Sequence, residues 1–597
     1  MDSYIVPLEE MQFVLRELSD IERVLQTPNV ECLADAELTT AILSQAAHFS
    51  KEVLAPLNAV GDREGAHWTQ DGVTTAPGFK EAYRQFVEAD WNKLSMPPEY
   101  GGHGMPILMC TALREIFTGA NKAFCICTDL TDSAVQALLL AANDSLKSYY
   151  VPKLVSGDWA ATMNLTEPHA GSDVGALRTR AVAGGDGTYR LFGQKIFISF
   201  GEHDLTENIV HLVLARIVGA PEGARGISLF AVPKFLPQQS HQGARNDVRC
   251  AGIEHKLGNH GSPTCTMVYG GEENGAIGWM VGEENKGLQT MFVMMNEARF
   301  HVGMEAVAVS DRAYRQAIAY AEERVQGRAA DGGDEAVPII RHPDVRRMLL
   351  SMRSQIEAMR ALGYLIAAAQ DLAHHHPDPA VRNERREFVD LMIPVFKGWA
   401  TETAVEVTRT SVQIHGGLGY VEESGASQPL RDVLICPIYE GTTGIQANDL
   451  ISRKILRDGG AGLRDWLTQV ELTQAELEAE PTLGDIGLRL LEGTTALRCV
   501  AKWIVEEYQQ RPLEVLAGAV PFLRMMGIVA GGWQMARAAL ASYRALKTEA
   551  DNSRFLQAKL TSAHFYSSHI LPQVPALATS VVCGGAATLS GTAFCDC

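Results

Sequence analysis

Four short strings in this sequence gather side chains that can do chemistry. In Met163-Asn164-Leu165-Thr166-Glu167-Pro168-His169-Ala170-Gly171-Ser172-Asp173, the hydroxyls of Thr166 and Ser172 flank a glycine that lets the backbone approach a ligand. Hydroxyls and amides so placed can satisfy the acceptor edge of a flat heterocycle. The stretch from Gly193 ends in Phe197-Ile198-Ser199, an apolar and polar alternation offering an aromatic for a ring face and a hydroxyl for a ring nitrogen. Gln413-Ile414-His415-Gly416-Gly417-Leu418-Gly419-Tyr420 supplies an amide and bare backbone. Ile438-Tyr439-Glu440-Gly441-Thr442-Thr443 sets a carboxylate in a turn, with permissive Gly441 behind it, donors at Thr442 and apolar Cys436 and Pro437 ahead. Glu440 is therefore the candidate general base. Taken singly, the strings also read as a polar inter-domain turn, a plain strand alternation and a solvated surface charge.

No G-x-G-x-x-G follows a strand and no G-x-x-x-x-G-K-[ST] occurs, so a pyrophosphate would be held by other means. Arg324 ends a helical stretch and can fork onto phosphate oxygens or simply answer the helix dipole. Gln413 with Gly416 and Gly417 suits the same group. His374-His375-His376, before Pro377-Asp378-Pro379, reads as a solvated loop with no ligand set, and Cys125-Ile126-Cys127 is too little for zinc; no metal is expected.

The elements that must position these residues follow from periodicity. A chain of 597 residues exceeds one core and implies several domains. After an N-terminal extension, 1–35, residues 36–160 are helical, and 161–287 turn to short β-rich runs broken by turns such as Gly184-Gly185-Asp186-Gly187. Helices return over 288–457, where Ala306, Val309, Ala313, Ala317 and Tyr320 form one stripe. Asp458-Gly459-Gly460-Ala461-Gly462 reads as a hinge before a further helical domain, 464–597. The fold class is mainly α with a central β domain.

In this order the four strings resemble the acyl-CoA dehydrogenase family, over about residues 40–455. The extra C-terminal helices and the Thr-Glu-Pro-His-Ala-Gly string are similar to its larger subgroup, which includes very-long-chain and methylmercaptopropionyl-CoA dehydrogenases. The resemblance implies a helical domain, a β-barrel and a second helical domain, with FAD as cofactor. It implies that Met163, Leu165, Thr166 and Ser172 line the flavin, that Ser172 also reaches the acyl-CoA, and that Phe197, Ile198 and Ser199 pack beside the isoalloxazine near N5. Phe197 and Ser199 stand where Trp and Thr are more usual. Arg324, Gln413, Gly416 and Gly417 would grip the ADP half of a neighbouring subunit's flavin, although the segment after Arg324 lacks the Phe that often precedes the Gly. Thr442 would meet the flavin, and Gly444 stands where a Gln often does. Asn296, where the family often has Asp, Arg299 and Gly441 would hold substrate. Glu440 would take the α-proton while a hydride leaves Cβ. Glu297 lies one residue off the register of the rival base position and reads as surface charge.

The implied activity is α,β-dehydrogenation of an acyl-CoA thioester, as in fatty acid β-oxidation, with an electron-accepting flavoprotein as partner. An acyl-CoA oxidase and a flavin-containing DNA-binding relative are the competing functions. Composition argues against the last. With 52 basic and 71 acidic residues, the net charge is −19, and 560–595 holds no Lys or Arg, so no nucleic acid is expected. That uncharged segment reads as packed inside a helical bundle, not in a membrane. The eleven cysteines lack paired spacing and read as reduced thiols. The acidic start and the final Cys595-Asp596-Cys597 match no targeting signal, so the cytoplasm is expected. Covering of a pairing face by 464–597 leads to an expected homodimer.

Overall fold

A computed structural model describes residues 4–237, 243–271, 274–548 and 553–591; Cys595 and Cys597 lie outside them. The chain divides into two compact units, one made of Gln45–Pro106 and Ile116–His301, the other of Met1–Ser44, Ile107–Glu115 and Val302–Cys597.

The first unit packs helices on a barrel. Its Lys122–Ala141 and Asp144–Val155 helices start at asparagines whose side chains accept from Phe124 N at 3.1 Å and Leu146 N at 2.9 Å, the preferred way to satisfy first-turn amides. Eight strands follow in one sheet, in the order Ala276–Val281, Ile227–Pro233, Asn208–Ile217, Arg180–Ala183, Tyr189–Ser199, Thr264–Tyr269, Val248–Ile253, with Trp159–Asn164 parallel to Asn208–Ile217. Ala276–Val281 also pairs with Tyr189–Ser199, so the sheet closes on itself. Leu212, Leu229 and Met291 bury one face with Leu138, Tyr150 and Trp159, while Leu191, Phe230, Cys265 and Tyr269 bury the other. Closure removes the open edges that would template aggregation.

The second unit is helical. Residues 302–323 of the Gly287–Glu323 helix lie here beside Pro343–His375 and Pro379–His415, each of which begins with Pro at its first position, where the missing N–H costs nothing. The stripe is buried at Ala306, Val309, Ala313 and Ala317. C-terminal helices, among them Ala519–Thr548 and Ser553–His569, pack against these. A Cβ at Gly527 would sit 2.1 Å from the Trp399 side chain, so only glycine admits this approach. Within the N-terminal extension Met11, Val14, Leu15 and Leu18 are buried, and Lys559 Nζ bridges Glu10 at 2.8 Å and Glu357 at 3.0 Å.

Three expectations change. The Asp458–Gly462 stretch is a built turn, its Asp458 carboxylate accepting from the amides of Gly460, Ala461 and Gly462. His374 and His375 end a helix, and His376 is buried, with Nε2 3.1 Å from Gln26 Oε1, so this run is not a solvated loop. The uncharged C-terminal segment buries Ala563, Tyr566, Leu571, Val574 and Val581 but leaves most of the described residues after 582 exposed. Among the described residues, one helix, Lys122–Ala141, is long and apolar enough to cross a membrane, yet its Phe124, Cys127, Ala134 and Leu138 are core residues. Nine cysteines are described, none of them in a disulfide, and no group of His, Cys, Asp and Glu among the described residues could hold a metal.

Candidate active site

In the barrel unit, two of the four strings meet. The Gly193 to Ser199 string ends the Tyr189–Ser199 strand, and the Met163 string leaves the end of Trp159–Asn164. Ile196 N donates to Thr166 O at 3.0 Å, and Thr162 Oγ1 donates to Ser199 O at 2.7 Å. Beneath them lies an ion pair that motif reading did not single out. Lys195 Nζ, fully buried, reaches Glu167 Oε1 at 2.9 Å and Leu165 O at 2.8 Å, while Glu167 also accepts from Arg178 N and Thr179 N. Burial pulls the ammonium down to about 8, against the opposing pull of the carboxylate. Burial also raises the Glu167 carboxyl, but Lys195 and the two residues it accepts from outweigh this and hold it below its ordinary value. The pair fixes the 163–170 segment to the strand. A Lys and a Glu 28 residues apart carry no local signal of this.

The surface so built suits a flat ligand. Phe197 sits at a bulge with φ +60° and is 59% exposed, whereas Ile198 is buried. The hydroxyls of Thr166, Ser172 and Ser199 have no hydrogen-bond partner among the described residues, and a Cβ on Gly171 would meet nothing within 4 Å. Met163 is buried and Leu165 half-buried. An uncovered aromatic, three unused hydroxyls and open backbone fit a polar heterocycle. In the same unit, Arg299 is buried with Nη1 3.4 Å from Oδ1 of exposed Asn296; Glu297 is half-buried, correcting its reading as surface charge.

The helical unit holds the other two strings. Arg324 follows the Gly287–Glu323 helix directly and is exposed, its Nη2 3.1 Å from Gln326 Oε1. Tyr320, one turn back, stacks on His415 at 4.7 Å, which brings this helix end beside that of Pro379–His415. Gln413, Gly416 and Gly417 are exposed there, with open space about both glycines, and Tyr420 is 92% exposed.

Glu440 is half-buried, with φ +56°, followed by Gly441 at φ +88°. A left-handed non-glycine residue costs about 1–2 kcal/mol, and such strain persists only where surroundings over-determine it. They do so here. Tyr439 Oη donates to the Glu305 carboxylate, which also accepts from Cys436 Sγ at 3.6 Å; burial and that carboxylate push the phenol well above its ordinary value. Lys397, fully buried, donates to Gly441 O at 2.7 Å. Gln446 Nε2 lies 3.1 Å from both Glu440 O and Gly441 O. Thr443 Oγ1 donates to Glu402 at 2.6 Å, and Thr442 Oγ1 accepts from Ile445 N at 3.3 Å as the N-cap of Thr443–Asp449. Thr442 thus spends its acceptor on the helix and keeps a proton to donate. Ile438, next but one before the base, is 59% exposed.

Four family descriptions match in chain order: "Acyl-CoA dehydrogenase, N-terminal domain" over 37–158, "middle domain" over 162–270, "C-terminal domain" over 285–455, and "Acetyl-CoA dehydrogenase C-terminal like" over 466–590. The 3-methylmercaptopropionyl-CoA dehydrogenase of Ruegeria pomeroyi is 45% identical over 96% of this chain and 97% of its own. The broad-specificity linear acyl-CoA dehydrogenase FadE5 of Mycobacterium tuberculosis is 34% identical over 96% of each. A Bacillus anthracis acyl-CoA dehydrogenase solved with FAD shares the fold at TM-score 0.74 and 21% identity, covering 96% of this chain and 92% of that one.

Proposed function

This chain belongs to the acyl-CoA dehydrogenase family, and on that premise we propose that it removes two hydrogens across the Cα–Cβ bond of an acyl-CoA thioester, with Glu440 taking the α-proton. The observation that carries the assignment is the strained Glu440 turn, which four side chains from outside it hold in place. FAD, when bound, supplies the acceptor for the β-hydride. The residues of the barrel unit fit its ring: Phe197 would cover a face, Ser199 and Thr166 would donate to ring nitrogens and oxygens, and Ser172 would be shared with the acyl-CoA. Arg324, Gln413, Gly416 and Gly417 suit the phosphates of its ADP half. The backbone N–H of Glu440 polarises the thioester carbonyl as charge develops on it. Arg299, Asn296 and Gly441 position the substrate. An electron-accepting flavoprotein would be the partner that reoxidises the cofactor.

Anaerobic addition of acyl-CoA to the purified yellow protein is expected to bleach its visible absorbance and yield the trans-2-enoyl-CoA. Given the name of the 45% identical relative, 3-methylmercaptopropionyl-CoA is the first ester to try, followed by linear chains. A folded protein, prepared with riboflavin, that stays colourless would refute the reading. Stoichiometric peroxide in air with acyl-CoA alone would make it an oxidase.

The working form is a homodimer, since Arg324, Gln413 and the Gly416-Gly417 backbone are exposed and, on the family pattern, serve the flavin of a second copy. Light scattering is expected to give twice the chain mass. A fully flavin-loaded, active monomer would overturn the shared site, and a tetramer would show that the C-terminal helices leave the pairing face open.

A further inference from the structure

Two donors converge on the backbone of the base itself. Tyr439 and Thr443 anchor the two ends of its turn, through Glu305 and Glu402. Lys397 and Gln446 act within it, on the carbonyls of Glu440 and Gly441. Both side chains are fully buried. A buried ammonium has no water to bond and must keep its protein acceptors, and Lys397 is held on the long Pro379–His415 helix. Gln446 stands two residues beyond Gly444 and, instead of facing outward, turns its amide back onto the turn.

The Glu440 carbonyl marks the end of that residue's own rotatable backbone. With φ +56° disfavoured, an unheld turn relaxes by rotating about Glu440, and such rotation swings the side chain and the preceding N–H together. We infer that Lys397 and Gln446 are positioning residues for the catalytic base: by holding the two carbonyls they lock Glu440 in the left-handed conformation from which its carboxylate meets the α-proton. This rests on the assignment of Glu440 as base. Through those carbonyls their contribution is orientation, where a displacement of ~1 Å can cost ~10²-fold in rate.

The near-isosteric Gln446→Met and Lys397→Met variants remove the donors while keeping the volume. Each is expected to slow single-turnover flavin bleaching by ~10–10²-fold, with acyl-CoA affinity and bound FAD within about twofold of wild type. The deuterium isotope effect on bleaching by α-dideuterated acyl-CoA should rise, because proton abstraction from a misaligned base becomes the slow step. Gln446→Glu, which removes the donating amide, should behave like Gln446→Met. If Lys397→Met fails to fold, Gln446→Met decides alone. Wild-type bleaching and isotope effect in folded Gln446→Met overturn the inference. So does a rate loss that only tracks lost FAD, with the isotope effect unchanged. Glu440→Gln run alongside separates the two levels: if it bleaches at the wild-type rate, the base assignment has failed, whatever the clamp variants do.

Discussion

Replacing Glu440 by Gln is expected to leave a folded, yellow protein that acyl-CoA no longer bleaches at a useful rate. The substitution keeps the shape of the side chain. Bonds to the carbonyls of residues 440 and 441 and to Tyr439 and Thr443 hold the turn in both forms, so the left-handed backbone is retained. What is lost is the proton acceptor. General base catalysis by a positioned side chain contributes ~10²–10⁴-fold, and the drop should be at least that large. Stopped-flow bleaching measures it, and unchanged flavin content shows that the loss is chemical. Glu297 is the control, being half-buried on the helix that carries Arg299. Glu297→Gln should bleach normally; the reverse result, with Glu440→Gln active and Glu297→Gln dead, moves the base to the helix.

The largest expected effect on stability lies at Arg360. Its guanidinium is 1% exposed and sits between Glu115, at 2.8 Å from Nε and 2.7 Å from Nη2, and Asp311, at 3.0 Å from Nη2. Tyr364 Oη completes the Glu115 carboxylate at 2.8 Å. Desolvation would favour loss of the proton, but two carboxylates hold it far more firmly than usual. Arg360→Leu takes the guanidinium from two buried carboxylates, Asp311 keeping Arg315 at 3.0 Å, and removing one partner of a buried pair costs ~3–5 kcal/mol. The urea transition of the helical unit should move to distinctly lower concentration, with flavin lost as it unfolds. Adding Glu115→Gln and Asp311→Asn should restore part of the loss, since the uncompensated charge and not the missing volume is the main cost. An unshifted transition in Arg360→Leu would show that the anions find water or protons instead. The same helix sends Asp371 to cap the start of Ile107–Ala120, accepting from Ile107 N at 2.7 Å and Leu108 N at 2.9 Å, and burial lifts that carboxyl to about 7.

The sequence by itself determined what is local. The long apolar stripe through Ala306 and Ala317 is a helix face because a period of 3.6 leaves no other way to bury those residues. The β-rich runs between 161 and 287 are strands because β-branched and aromatic residues alternate between turn formers. The strings proposed to carry the chemistry were legible for a related reason: Thr166, Ser172, Phe197, Ser199, Glu440 and Gly441 lie in short motifs whose order along the chain resembles the family's. Even the left-handed turn at Glu440 and Gly441 has a local cue, in the glycine.

What only the tertiary structure decided is which distant side chain meets which group. Lys397 reaches Gly441 across 44 residues, Tyr439 reaches Glu305 across 134, and Arg360 reaches Glu115 across 245. His376, read from its polar neighbours as solvated, is buried against Gln26 across 350. Glu297, read as surface charge from its register, is half-buried. A buried charge is tolerable only where a partner is already in place, and the partner's position is a property of packed helices and a closed barrel. Spacing along the chain therefore names candidate reacting groups, while packing in space decides what holds them.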